Sequence, residues 1–131
     1  MRSPVIVIGP LAFKFARNEQ GRASNIYEAK LYRSANETRR VLLCPALWVS
    51  SKGAVLIMRA ARPLGRELSF YEYSALCQAW DYMPGGDGCC PFEPKEIDWG
   101  LFKGRLVALD YSTPALVQHD EENAWMHDED E

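Results

Sequence analysis

The stretch EPKEIDWGLFKGRLVALDYS, Glu93–Ser112, places an aspartate on either side of two short apolar runs. Gly100–Phe102 and Arg105–Leu109 read as strands, with Lys103-Gly104 between them as the two-residue turn of a β-hairpin. Asp98 precedes the first strand and Asp110 follows the second, so an antiparallel hairpin brings both to its open end. Aspartate is a common residue at strand ends and turns. Two carboxylates at one end of a hairpin also form a hard-oxygen pair suited to Mg²⁺. The remainder of the chain decides which of these matters.

Upstream, Val5–Ile8 and Leu11–Ala16 read as strands joined through Gly9-Pro10. The second alternates, with Leu11, Phe13 and Phe15 on one face and Ala12, Lys14 and Ala16 on the other. RNEQGRA reads as a polar loop, after which Ser24 is a candidate cap for a helix over Asn25–Ala35. Ile26, Tyr27, Ala29 and Leu31 supply its apolar stripe, and Glu28 lies beside that stripe rather than opposite it. A basic, polar link leads to two further strands, Leu47–Ser50 and Ala54–Met58, around a Ser-Lys-Gly turn. The near-continuous apolar run AVLIM marks a strand covered on both sides. Arg62-Pro63-Leu64-Gly65 breaks the chain, and Ser69–Tyr82 has helical spacing with Phe70, Tyr73, Leu76, Cys77 and Trp80 on one face. MPGGDGCCPFEP is a loop by composition. The order β-β-α-β-β-α-β-β predicts an α+β fold: a small antiparallel sheet with a packed helix, then a second helix and the C-terminal hairpin.

With 131 residues, 47% apolar and 25% charged, the chain fits one soluble domain. No apolar run approaches the ~20 residues that span a bilayer, and MRSPVIVIGP does not have the form of a signal peptide, so the expected location is cytoplasmic, with no membrane partner. Cys44, Cys77, Cys89 and Cys90 lack CxxC spacing, so no zinc site is expected. Residues 120–131, DEENAWMHDEDE, hold seven acidic residues and no basic one. Residues 1–119 carry 15 basic and 11 acidic residues, a net of +4. The tail reads as a disordered acidic end appended to one compact domain of 1–119. The acidic overall balance and the lack of a binding module argue against nucleic acid as a partner.

The order of elements and the placement of charges resemble a reduced protein-kinase-like fold, the group that includes protein kinases and aminoglycoside phosphotransferases. Lys14 in LAFKFA resembles the strand lysine of VAIK, and Glu28 the helix glutamate that pairs with it. AVLIMRAARPL resembles the central strand entering the interlobe hinge. Asp98 falls where the metal-binding asparagine of the catalytic loop stands, and Asp110, in LDYS, at the aspartate of DFG. Glu93 then takes the position of the catalytic aspartate, and Lys95 that of a lysine facing the transferred phosphate. By this resemblance Lys14 would bind the ATP phosphates with Glu28 holding its ammonium in place, Asp98 and Asp110 would hold Mg²⁺, and Glu93 and Lys95 would serve the transfer itself. The family's GxGxxG loop is absent, the DFG glycine is Ser112, and only 21 residues follow Asp110, too few for a substrate-binding helical lobe.

The resemblance therefore implies a kinase-like remnant: a catalytically weak or inactive module that binds another protein and retains a vestigial nucleotide site. Two alternatives stand beside it. One is a miniature ATP- and Mg²⁺-dependent phosphotransferase, acting as an oligomer or with a partner's surface. The other is an unrelated small α+β interaction domain with an acidic tail.

Overall fold

The computed structural model describes residues 4–81 and 90–111. The acidic segment 120–131, Cys89 and most of the Gly/Pro-rich loop lie outside the described residues.

The fold is α+β. Strands β1 (Val5–Ile8), β2 (Leu11–Phe15), β3 (Ala46–Val49) and β4 (Val55–Arg59) form an antiparallel sheet in the order β1-β2-β4-β3. A second antiparallel sheet joins β5 (Arg62–Pro63), β6 (Trp99–Phe102) and β7 (Arg105–Ala108). Helices α1 (Glu19–Ser34), α2 (Glu37–Arg40) and α3 (Phe70–Asp81) lie between strands in sequence.

The hairpin expected at Lys103-Gly104 forms with that dipeptide at its tip, both residues at positive φ (53° and 77°). A two-residue turn of this hand matches the right-handed twist of the strands it joins. Three local expectations need correction. The first helix starts at Glu19, not Asn25, because the Asn18 side chain accepts from the Gly21 amide at 2.8 Å and caps it. Gly21, which reads as a loop residue, sits inside the first turns of that helix. The polar link after it contains α2, capped by Asn36 through the Arg39 amide. Arg62-Pro63, read as a break, is an edge strand paired with β6, a position where proline's missing donor does no harm.

The two sheets are stitched together by backbone. Cys44 N donates to Ala108 O at 2.9 Å and Ala108 N to Leu42 O at 2.8 Å, making a parallel bridge at Leu43. The buried Tyr111 hydroxyl donates to Cys44 O at 2.9 Å. Below this seam, Phe92 is the hub of an aromatic cluster, with edge-on contacts to Trp99 (5.1 Å), Trp80 (5.8 Å) and Tyr73 (6.5 Å). Gly100 is required here, since a Cβ would stand 2.8 Å from Arg62 O.

Register assigns the faces of the four-stranded sheet. Lys14 and Ala12 are paired with Leu56 and Met58, which are 0% and 2% exposed, so this face is the core side and α1 packs on it. Leu11 and Phe13 pair with Arg59 and Ile57 on the opposite face.

Candidate functional site

Lys14 stands on β2 with its side chain pointing into the core side, where an unpaired ammonium would be costly. Its Nζ lies 2.9 Å from Glu28 Oε2 on α1 and donates also to Leu109 O at 2.7 Å, just past β7. Side-chain exposure is 14% for Lys14 and 3% for Glu28. The amine thus ties together a strand, a helix and the C-terminal hairpin. Asn25, one turn before Glu28, holds the geometry: its buried amide donates to Gly53 O at 2.9 Å and to Lys14 O at 3.3 Å. Gly53 admits that approach only as glycine, having φ 78° and no room for a Cβ against the Arg22 carbonyl.

Glu28 is raised from 4.5 to about 7. Burial is the largest cause, because a carboxylate loses its hydration there. Lys14 pulls the other way. Asp110 adds to the rise through both its charge and a side-chain hydrogen bond with Glu28. Glu28 therefore lies between a cation and a second carboxyl, and near neutrality it changes protonation.

All six residues singled out in the sequence line one cleft of about 610 Å³: Lys14, Glu28, Glu93, Lys95, Asp98 and Asp110. Asp98 closes a 3-10 turn at Glu96–Asp98 and is 6% exposed, with its carbonyl accepting from Leu109 N at 2.7 Å. That bond closes the open end of the hairpin, where both aspartates line the cleft. Glu93 and Lys95 lie at the rim and meet each other, Nζ to Oε2 at 3.1 Å, with side chains 39% and 64% exposed. The Glu93 hydrogen bond raises Lys95, and the charges of Asp98 and Asp110 add to it, so this ammonium stands in the field of three carboxylates.

Several features of the cleft carry no sequence signal. The Leu109 carbonyl, a backbone group, shares the Lys14 ammonium. Val5 and Val7 supply an apolar wall, and Arg17 adds positive charge to the lining. Cys44 also lines the cleft, but burial pushes its thiol up to about 11, and Sγ donates to Arg59 O. It is a packing residue rather than a nucleophile.

Among the described residues no group of three or more His, Cys, Asp or Glu is placed to hold a metal ion. The donor set here is two aspartates, which suits Mg²⁺ where phosphate oxygens and water complete the octahedron. No helix among the described residues is long and apolar enough to cross a membrane. No family model, curated protein or solved structure matches the chain, so the fold and the cleft stand on their own geometry.

Proposed function

We propose that the protein is a reduced, kinase-like binding module whose cleft accepts a nucleoside polyphosphate with Mg²⁺ weakly and turns it over poorly or not at all. The observation that carries this reading is the convergence of Lys14 from β2, Glu28 from α1, Asp98 from the 3-10 turn and Asp110 from the segment just past β7 on one cleft. A polyphosphate needs a fixed cation, and Glu28 with the Leu109 carbonyl holds the Lys14 ammonium in place from two sides. Asp98 and Asp110 would hold the divalent ion, which supplies charge neutralisation between phosphate oxygens. Val5, Val7 and Ala12 present apolar surface where a base could lie.

Binding is favoured over transfer by the rim. The base candidate Glu93 is engaged by Lys95, the residue that would face the phosphate, and both stand in solvent at the cleft's edge. General-base catalysis needs a carboxylate directed at the acceptor hydroxyl.

Calorimetric titration of ATP with Mg²⁺ into the wild-type protein and into Asp110→Asn tests the reading. The expected result is weak, Mg²⁺-dependent binding that Asp110→Asn abolishes while the melting temperature holds or rises slightly, since the substitution relieves the contact with Glu28. An absence of heat and of thermal shift with the wild-type protein at saturating nucleotide rejects the nucleotide site. Phosphorylated product from the wild-type protein, lost in Glu93→Gln, would favour the transferase instead.

A further inference from the structure

Helix α3 turns one stripe toward the aromatic cluster, and a cysteine sits in the middle of it. Tyr73, Cys77 and Trp80 follow one another at helical spacing. Tyr73 and Trp80, on either side of Cys77, both meet the Phe92 ring edge-on, at 6.5 and 5.8 Å. The Tyr73 hydroxyl also donates to Phe92 O at 3.0 Å. Phe92 is thereby held against the turn of α3 that carries Cys77, and Cys90 lies two residues before it. The same segment is pinned further along, where Trp99 Nε1 donates to Glu93 O at 2.6 Å and Leu68 N to Pro94 O at 3.3 Å. Both sulfurs act on the Tyr73 phenol. Burial raises that phenol first, and a side-chain hydrogen bond with Cys77, then the charges Cys77 and Cys90 would carry as thiolates, add to the rise. Both thiols are partly exposed, unlike Cys44, which is 1% exposed.

We infer that Cys77 and Cys90 are a redox pair that closes to a disulfide, clamping α3 to the segment that carries the cleft-lining residues Pro91 and Glu93. One cysteine stands on a helix and the other on irregular backbone, which can adjust to the narrow geometry an S–S bond demands. A peroxide is a sufficient oxidant. One thiolate attacks a peroxide oxygen, the O–O bond breaks, and protonation leaves a sulfenic acid and one water. The second thiolate attacks that sulfur and expels hydroxide, which leaves as the second water. In sum, two thiols and one hydrogen peroxide give one disulfide and two waters, with two electrons passing from sulfur to oxygen. A small disulfide such as oxidised glutathione reaches the same state by exchange, releasing two thiols, and the reduced form reverses it. The bond closes a loop of fourteen residues, Cys77 to Cys90, and so restricts the unfolded chain and stabilises the oxidised fold. Redox state then sets how firmly one wall of the cleft is held.

The proposal is independent of the nucleotide reading, because the bond is read as mass and as melting temperature with no ligand present. The full chain is equilibrated in glutathione buffers of graded oxidised-to-reduced ratio, quenched in acid, alkylated, digested and mapped by mass spectrometry. The expected result is a reversible Cys77–Cys90 bond within the monomer, formed also by hydrogen peroxide. The oxidised protein should melt at least about 5 °C above the reduced one. Cys89→Ser should keep both the bond and the shift, and Cys77→Ala should remove both. Circular dichroism checks that each variant is folded, and Cys90→Ala replaces Cys77→Ala if the latter is not. Thiols that stay reduced in the most oxidising buffer overturn the proposal. A bond from Cys77 to Cys89, or between Cys89 and Cys90, in place of the expected one overturns it equally. So does an oxidised form that melts at or below the reduced one, since the two sulfurs would then have been forced together.

Discussion

Two ion pairs of this protein look alike on paper and behave as opposites. Arg66 grips Glu72 with two contacts of 2.7 and 2.9 Å, the better geometry of the two, yet its side chains are 54% and 33% exposed. Lys14 and Glu28 meet at 2.9 and 3.3 Å with side chains 14% and 3% exposed. The Arg66 hydrogen bond, followed by the Ser69 amide, draws Glu72 down to about 2, as a solvated carboxylate gaining partners should move. Glu28 rises to about 7 despite its cation, because burial and Asp110 outweigh Lys14. A short ion pair therefore says little by itself. The direction in which its carboxyl moves separates a surface clasp from a site shielded from water.

Lys14→Met should break the contrast most severely. It leaves Glu28 and Asp110 together without their shared cation, and removing one partner of a buried pair typically costs about 3–5 kcal/mol. Chemical denaturation at neutral pH should show that loss, with partial recovery in acid as the Glu28 carboxyl takes up a proton. Full stability at neutral pH would mean that water reaches the pair freely.

The pH dependence of the unsubstituted protein comes next in size. Glu28 binds its proton more tightly in the folded state (about 7) than in the unfolded one (4.5), so its contribution is complete below about 4.5 and is lost as pH rises toward about 7. The loss is on the order of 3 kcal/mol, at about 1.4 kcal/mol for each pKa unit. Denaturation curves at a series of pH values should slope downward across this window, and Glu28→Gln should flatten the slope. An upward slope that Glu28→Gln leaves in place would show the sign to be wrong.

Nucleotide binding should bend the same titration. A divalent cation drawn onto Asp110 weakens that residue's hold on the Glu28 proton, so binding near pH 6 to 7 should release protons and tighten as pH rises. Calorimetry in buffers of different ionisation enthalpy reads the proton count directly, and a heat independent of buffer contradicts the coupling. The smallest effect belongs to the surface pair. Arg66→Met should leave the melting curve unresolved from wild type, since solvent screens such pairs and the reciprocal bonds between Ser69 and Glu72 that cap α3 stay intact.

The same two regions mark what the sequence could and could not convey. The Lys14–Glu28 meeting was legible through the resemblance of LAFKFA and the following helix to a strand lysine and its helix glutamate. The hairpin was legible from a turn dipeptide between two apolar runs. The start of α1 was not: Gly21 disguised the first turns, and Asn18 declares itself a cap only once its side chain is seen over the Gly21 amide. The Ser69–Glu72 box went unread although its spacing was present. Alternation in Leu11–Ala16 gave two faces without saying which one meets the core. Larger apolar side chains would ordinarily claim the inside, but the register gives it to Ala12 and Lys14.

The bond from Lys14 to the Leu109 carbonyl spans 95 positions of sequence, and this gives the site a place in time. During synthesis the sheet, α1 and the lysine–glutamate pair are all present before the hairpin leaves the ribosome. At about 5–20 residues per second, the nascent chain spends several seconds with its buried amine short of one acceptor and with Cys44 lacking the backbone seam to Ala108. Ribosome-stalled chains should accordingly expose the Cys44 thiol to alkylation until Ala108 and Tyr111 have emerged, and protect it abruptly thereafter. Among the described residues, the cleft is the last part to come into being.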